Sequence, residues 1–422
     1  MSSPIWHPFT QHGLGEPIPL VTHGEGAALH TDDGRRIVDA ISSWWVTTHG
    51  HGHPRIMAAI AEQAQRLDQI IFAGWTHQPA EDVALGLLAI MPPSLTRVFF
   101  SDSGSTSVEV ALKMALGHFA NRGEPRTHIV VMQHSYHGDT VGGMSVGARG
   151  VFSAAYAPLL FDVAVIPFPT AGHEQETLDA LEAACRTQPA AFIVEPLVLG
   201  AGGMLMYGAD TLRAMHAICA RHGVLFIADE VMTGWGRTGT LLACEQAEIA
   251  PDILCLSKGL TGGSLPLAVT MASEDIYQSH WSDDRARMFF HSSSYTANPI
   301  ACAAAVANLA IWRDEPVGER VSSLAARQAA RLDRLAALPG VADARALGTI
   351  AALDLEVPDA GYLSALAPRL LAQFRDADLL LRPLGNTLYV MPPYCIDDAD
   401  LDRIYDALGE AVLQTQKSPG IQ

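Results

Sequence analysis

The chain has 422 residues, of which 49% are hydrophobic and 17% charged, and its formal net charge at pH 7 is −18. This composition predicts an ample core shared by two or three domains, and without an apolar run of about 18 residues a membrane span is not expected. The acidic balance, with no basic cluster and no nucleic-acid motif, argues against DNA or RNA as a partner and leaves small molecules as the expected ligands.

The opening Met1-Ser2-Ser3-Pro4-Ile5-Trp6-His7 has neither the basic start nor the apolar stretch of a secretion signal. Cys185, Cys219, Cys244, Cys255, Cys302 and Cys395 are scattered with no C-x-x-C pair. Both features predict reduced thiols and a cytoplasmic location. Further on, His49-Gly50-His51-Gly52-His53 has metal-ligand residue types, but a glycine beside each histidine makes a loop the expected reading.

From about residue 50 the chain alternates short apolar runs with helix-length stretches. The runs are Arg97-Val98-Phe99-Phe100-Ser101, Ile129-Val130-Val131-Met132, Ala191-Phe192-Ile193-Val194-Glu195, Val224 to Asp229, Ile253 to Ser257 and Leu267-Ala268-Val269-Thr270-Met271. Because they do not alternate apolar with polar, they predict strands buried on both faces, hence a mostly parallel sheet. Residues 107–120 and 210–222 read as helices between them. The expected architecture is α/β: a three-layer large domain over residues 50–315, with a smaller α+β domain made of residues 1–49 and 316–422. In the latter, Ala/Leu/Arg-rich helix follows Pro316, strands are predicted near 350–357 and 387–391, and a long helix over 362–376. The tail around Lys417 reads as frayed.

The working residues of such sheets gather at the carboxyl ends of the strands. After the first run, Ser101-Asp102-Ser103-Gly104-Ser105-Thr106-Ser107-Val108-Glu109 opens a helix, with Thr106 and Glu109 spaced for a capping box and Gly104 and Ser105 placed to offer free amides to a phosphate. After the second run stands Ser135-Tyr136-His137-Gly138-Asp139, where the aromatic ring can stack on a flat ligand or simply fill a turn. The fourth run delivers Asp229-Glu230 from a dry strand. A carboxylate there needs a cation, either a protonated pyridine nitrogen or Arg237, or else backbone donors.

The fifth run ends at Lys258, one of only three lysines. Lys417 lies in the tail, and Lys113 stands four residues after Glu109, the spacing of a helical ion pair. Burial would lower the amine pKa of Lys258 and free it to attack an aldehyde or ketone. A phosphate cradle, a stacking aromatic, an acid for a ring nitrogen and an amine for an imine together meet the demands of pyridoxal 5′-phosphate.

These motifs resemble the fold-type I, class III aminotransferases along the whole chain, in Ser103-Gly104-Ser105, Tyr136-His137-Gly138, Val194-Glu195-Pro196, Asp229-Glu230-Val231, Thr233-Gly234-Trp235-Gly236-Arg237-Thr238-Gly239 and Ser257-Lys258-Gly259. Ile5-Trp6-His7-Pro8-Phe9-Thr10, Ser42-Ser43-Trp44-Trp45, Leu260-Thr261-Gly262-Gly263 and Arg382-Pro383-Leu384-Gly385-Asn386-Thr387 are similar to the branch that aminates 8-amino-7-oxononanoate to 7,8-diaminononanoate in biotin synthesis.

The resemblance implies that Lys258 bonds the cofactor and later shuttles a proton, that Asp229 holds the pyridine nitrogen protonated, that Tyr136 stacks on the ring, and that Gly104 and Ser105 bind the phosphate. It implies a homodimer whose active sites are shared, the stretch His291-Ser292-Ser293-Ser294-Tyr295 reaching the other subunit's site with Ser293 and Ser294 on the phosphate and Ser292 beside the substrate; Ser294 stands where relatives carry threonine. Arg382 is implied as the partner of the keto acid's carboxylate and Trp44 as lining for its alkyl chain. Many relatives have tyrosine where this chain has Phe9 at the substrate site. S-adenosylmethionine is the implied amino donor, with lysine as the alternative that Phe9 keeps open. An ω-amino acid:pyruvate transaminase is the nearest different activity.

Overall fold

The computed structural model describes residues 3–358 and 360–417; the side chain of Lys417 and the tail beyond it, expected to fray, lie outside the described residues. Near the N-terminus, β1 (Val21–Glu25), β2 (Ala28–Thr31) and β3 (Arg36–Asp39) form an antiparallel meander. The central stretch supplies β4 (Leu95–Ser101), β5 (Ile129–Met132), β6 (Ala164–Ile166), β7 (Ala191–Val194), a small hairpin of β8 (Val198–Leu199) and β9 (Leu205–Met206), then β10 (Leu225–Asp229), β11 (Ile253–Leu256) and β12 (Ala268–Ser273). The C-terminal part adds β13 (Val341–Leu347), β14 (Ile350–Leu355), β15 (Leu379–Leu380) and β16 (Thr387–Val390).

Seven of these strands form one sheet in the order β4-β12-β11-β10-β7-β5-β6. Neighbours from β11 to β6 pair in parallel, and β12 alone runs against both of its neighbours. Its apolar runs are continuous because both faces are covered. Val130, Met132, Phe192, Val194, Phe226 and Ala228 pack into one core, while Ile129, Val131, Ile193 and Ile227 pack into a second on the opposite face. The sequence reading missed β6: Val163-Ala164-Val165-Ile166 is a short apolar run between Asp162 and Pro167, but Ala164 and Val165 are exposed at the sheet edge.

Outside this sheet, the parallel pairing of β15 with β3, Leu379 opposite Val38 and Leu380 opposite Asp39, joins the N-terminal meander to the C-terminal chain. β13, β14 and β16 form a separate antiparallel sheet. The helix expected over 362–376 is shorter, Leu366–Asp376. None of the described helices is long and apolar enough to cross a membrane.

Two local expectations are corrected. The helix after β4 is Gly104–Asn121 and starts three residues earlier than expected, so its capping box joins Ser103 to Thr106 rather than Thr106 to Glu109. Glu109 then falls in the second turn, where its carboxylate accepts the Gly142 amide at 2.7 Å. Lys113 accordingly makes no ion pair with Glu109; its Nζ donates to the Phe290 carbonyl at 2.6 Å. The histidines of the 49–53 loop turn to three different partners, His49 to Asn308, His51 to Asp39 and His53 towards Glu315, and so do not converge on one point.

Candidate active site

Parallel pairing brings the carboxyl ends of β5, β7, β10 and β11 to one edge, and antiparallel β12 lets β4 end there too, with Ser101 opposite Ala268. The turns that leave this edge surround a cavity of about 430 Å³. Lys258, Asp229, Tyr136, Gly104, Ser105, Phe9 and Trp44 all line it, so residues from six separate stretches of chain meet in one place. A second cavity of about 340 Å³ shares Tyr136, Asp139, Phe152 and Tyr362 with the first.

Lys258 follows β11 by two residues, with a left-handed φ of 46°. The protein packed around it lowers its amine pKa to about 8, desolvation outweighing the opposing charges of Asp229 and Glu195. Its Nζ lies 4.6 Å from the centroid of the Trp45 ring, a cation–π distance. Asp229, the last residue of β10, is buried. One oxygen accepts the Val231 amide at 3.1 Å, and the other is 2.7 Å from Nδ1 of His137. The partner considered from sequence, Arg237, instead donates to the carbonyls of Pro392 and Thr47.

At the start of the Gly104–Asn121 helix the capping box occupies Ser103 and Thr106, which leaves the Gly104 and Ser105 amides with no acceptor among the described residues. Free amides at a helix N-terminus suit a phosphate. The approach is kept open by glycines: a Cβ on Gly104 would stand 2.6 Å from Val231, and one on Gly138, where φ is +110°, would collide with Ser105. Tyr136 is half-buried over this cradle's cavity, and desolvation, reinforced by the Asp139 carboxylate, pushes its phenol well above the usual range.

The far wall is aromatic. Phe9 meets Trp44 edge-on at 5.4 Å and Phe152 at 6.0 Å, and Phe152 meets Tyr362 at 4.5 Å. Arg382 is not in the lining; its guanidinium lies 5.8 Å from the Trp44 centroid and reaches the Phe9 carbonyl at 3.5 Å. It has no carboxylate partner among the described residues. Ser292, Ser293 and Ser294 do not line this chain's cavity. Ser293 bonds the Asp102 carboxylate, and the Ser294 carbonyl accepts from Gln69 at 2.6 Å.

Sequence reasoning missed Phe152 and Tyr362 of the aromatic wall, and three further residues of the site. Trp45 stood only as a member of the Ser42-Ser43-Trp44-Trp45 motif, with no role of its own. The sequence shows His137 only within the Tyr136-His137-Gly138 motif, with nothing to link it to Asp229. Glu195, buried in the cavity wall, accepts the Tyr136 and Gly200 amides at 2.9 and 3.0 Å, and desolvation raises its carboxyl to about 7. An acid closing an apolar strand was the signal that singled out Asp229, and Glu195 carries the same one.

The fold and site define a class, and comparison with known proteins gives the same answer: residues 10–412 match the model of the class-III aminotransferases, and the chain belongs to that family. It is a pyridoxal-phosphate-dependent transaminase. Among curated relatives, the adenosylmethionine-8-amino-7-oxononanoate aminotransferase of Synechococcus elongatus is 47% identical over 96% of this chain and 97% of its own length. The enzyme of the same name from Methanocaldococcus jannaschii superposes with a TM-score of 0.93 at 33% identity, covering 97% of both chains. An amine transaminase from an uncultivated Pseudomonas species, solved in its PLP-bound form, superposes at 0.92 with 31% identity, over 98% of this chain and 99% of that one.

The residues present fit the cofactor. An amine held near neutrality, a buried carboxylate facing the same cavity and two unengaged helix amides answer its aldehyde, its ring nitrogen and its phosphate. The Nε2 atom of His137, buried and without a partner among the described residues, belongs to the same cluster.

Proposed function

We propose that this chain transfers an amino group from S-adenosylmethionine to 8-amino-7-oxononanoate, giving 7,8-diaminononanoate for biotin synthesis. The observation that carries the reading is Arg382, a cation with no carboxylate partner among the described residues, standing behind the aromatic wall of a cavity that also holds the Lys258 amine. Such a wall suits an alkyl chain, and a guanidinium beyond it suits the carboxylate at that chain's far end. The names of the relatives from Synechococcus elongatus and Methanocaldococcus jannaschii support the same substrate.

Pyridoxal phosphate, when bound, supplies the electron sink that makes a proton on the substrate carbon removable. The chain's own residues do the rest. In this reading Lys258 takes that proton and returns it, a task for which an amine pKa of about 8 is matched to neutral solution. Asp229 keeps a proton on the pyridine nitrogen, and His137, 2.7 Å away, fixes the carboxylate in place. Gly104 and Ser105 hold the phosphate through their amides, Tyr136 flanks the ring, and Trp44, Phe9 and Arg382 receive the keto acid.

We further read the working unit as a cytoplasmic homodimer in which Ser292, Ser293 and Ser294 of each copy complete the other's site; their absence from the lining of their own chain's cavity supports this. The division into a large unit at 50–315 and a small one from 1–49 and 316–422 is part of the same reading, supported by the pairing of β15 with β3. The test is a half-reaction. S-adenosylmethionine or L-lysine is added separately to the yellow holoenzyme and the cofactor's absorption is followed. Conversion to the amine form of the cofactor by S-adenosylmethionine is expected. Conversion by alanine and by neither of the two would overturn the reading in favour of an ω-amino acid transaminase.

A further inference from the structure

Asp39 closes β3 fully buried, away from the cavity lining, yet its carboxylate is one of the most heavily engaged in the molecule. It accepts from the Ile41 amide at 3.3 Å, the Ser43 amide at 2.7 Å, the Ser43 hydroxyl at 2.9 Å and Nε2 of His51 at 2.8 Å. What these bonds hold is the Ser42–Trp45 turn, in which Ser42, Ser43 and Trp45 have φ values of 51°, 61° and 68°. Left-handed backbone costs free energy in every residue with a Cβ, and three such residues within four need outside support. Trp44, at φ −162°, is the extended residue between them.

Support comes from both sides of the turn. The Ser42 hydroxyl donates to the Met391 carbonyl at 2.8 Å and the Trp45 indole to the Tyr389 hydroxyl at 3.0 Å. The strained backbone sends two consecutive indoles to two different jobs. Trp45 lies over the Lys258 amine, 4.6 Å from ring centroid to Nζ, and Trp44 reaches Phe9 at 5.4 Å and Arg382 at 5.8 Å.

We propose that Asp39, with His51 behind it, is the positioning residue of the alkyl subsite: by holding the Ser42–Trp45 turn in its left-handed form, it sets Trp44 against Phe9 and Arg382 and Trp45 against Lys258. The identity of the alkyl ligand rests on the function proposed above; the positioning does not. His51 acts by donating its Nε2 proton to Asp39, which fixes the carboxylate's rotation so that the other oxygen faces the Ser43 amide.

The test compares the His51→Leu and His51→Gln holoenzymes by crystallography and by steady-state kinetics with 8-amino-7-oxononanoate varied. Leucine removes the donor and glutamine retains one. In His51→Leu, Trp44 is expected to leave Phe9 and Trp45 to leave Lys258, KM for the keto acid to rise about tenfold and kcat to fall by a smaller factor, with cofactor content unchanged; His51→Gln restores both constants. Should His51→Leu not fold, Asp39→Asn carries the same expectation, with a smaller rise in KM. Trp44 and Trp45 in their original places, or a fall in melting temperature in both His51 variants with KM unchanged, overturns the proposal. If the turn moves but wild type ignores 8-amino-7-oxononanoate, the substrate reading fails and the positioning role stands.

Discussion

Lys258 owes its chemistry to its surroundings rather than to being a lysine. Lys113 shares the same amine, yet its Nζ is tied to the Phe290 carbonyl on the outside of the helix Gly104–Asn121. Replacing Lys258 by alanine is expected to abolish the yellow absorption and to cut turnover by about 10²- to 10⁴-fold, checked by absorbance and steady-state assay. The lowered pKa gives a second expectation. In apoenzyme, the amine is protonated and unreactive below about pH 8 and neutral above it, so the rate of combination with pyridoxal phosphate rises through about pH 8 and then levels off. A rise that begins only near 10.5, the ordinary value for a lysine, would show that burial does not govern the amine. Arg382→Ala is expected to raise KM for the keto acid about tenfold or more with kcat nearly kept, since a charge-assisted bond of about 1.5–3 kcal/mol is lost from binding. At this scale the sequence was most legible where a residue ends an apolar strand, as Asp229 does. It was least legible for Trp45 and His137, whose significance is a distance of 4.6 Å to Lys258 and of 2.7 Å to Asp229, across gaps in sequence that no local pattern spans.

Among elements, the turns after the strands matter more than the strands themselves. The helix Gly104–Asn121 is capped by Ser103 and Thr106, and because that box consumes the Thr106 amide, the two amides before it remain for an anion. Ser103→Ala is therefore expected to cost about 1 kcal/mol of stability, seen as a lower melting temperature, and to speed loss of the cofactor on dilution. Thr106 and Glu109 have the spacing of a capping box one turn further on, but the Glu109 carboxylate is drawn away to the Gly142 amide. The central strands were readable because continuous apolar runs follow from burial on both faces. β6 was not read, although Val163-Ala164-Val165-Ile166 is apolar, because the run is short and only Ile166 of the strand is buried at this sheet edge. The Ser42–Trp45 turn was legible only as a motif; its three left-handed residues are held by Asp39, Met391 and Tyr389, and the last two come from the far end of the chain.

On the scale of the whole molecule, one sheet edge gathers residues from the turns after β4, β5, β7, β10 and β11, and the cavity they form receives Phe9 and Trp44 from the N-terminal part and Tyr362 and Leu384 from the C-terminal part. The α/β class and a mostly parallel large sheet followed from the rhythm of the sequence, whereas the strand order, with β12 antiparallel, and the way the termini meet, through β15 beside β3, carry no sequence signal. Light scattering after size-exclusion chromatography is expected to give twice the 45.1 kDa chain mass, and a monomer with full activity would contradict a site shared between subunits. The most direct measurement of the central claim is mass spectrometry of the product formed when holoenzyme, S-adenosylmethionine and 8-amino-7-oxononanoate are incubated together. The expected product is 7,8-diaminononanoate, dependent on Lys258. Its absence, with β-alanine and pyruvate consumed in a parallel incubation, would contradict the account.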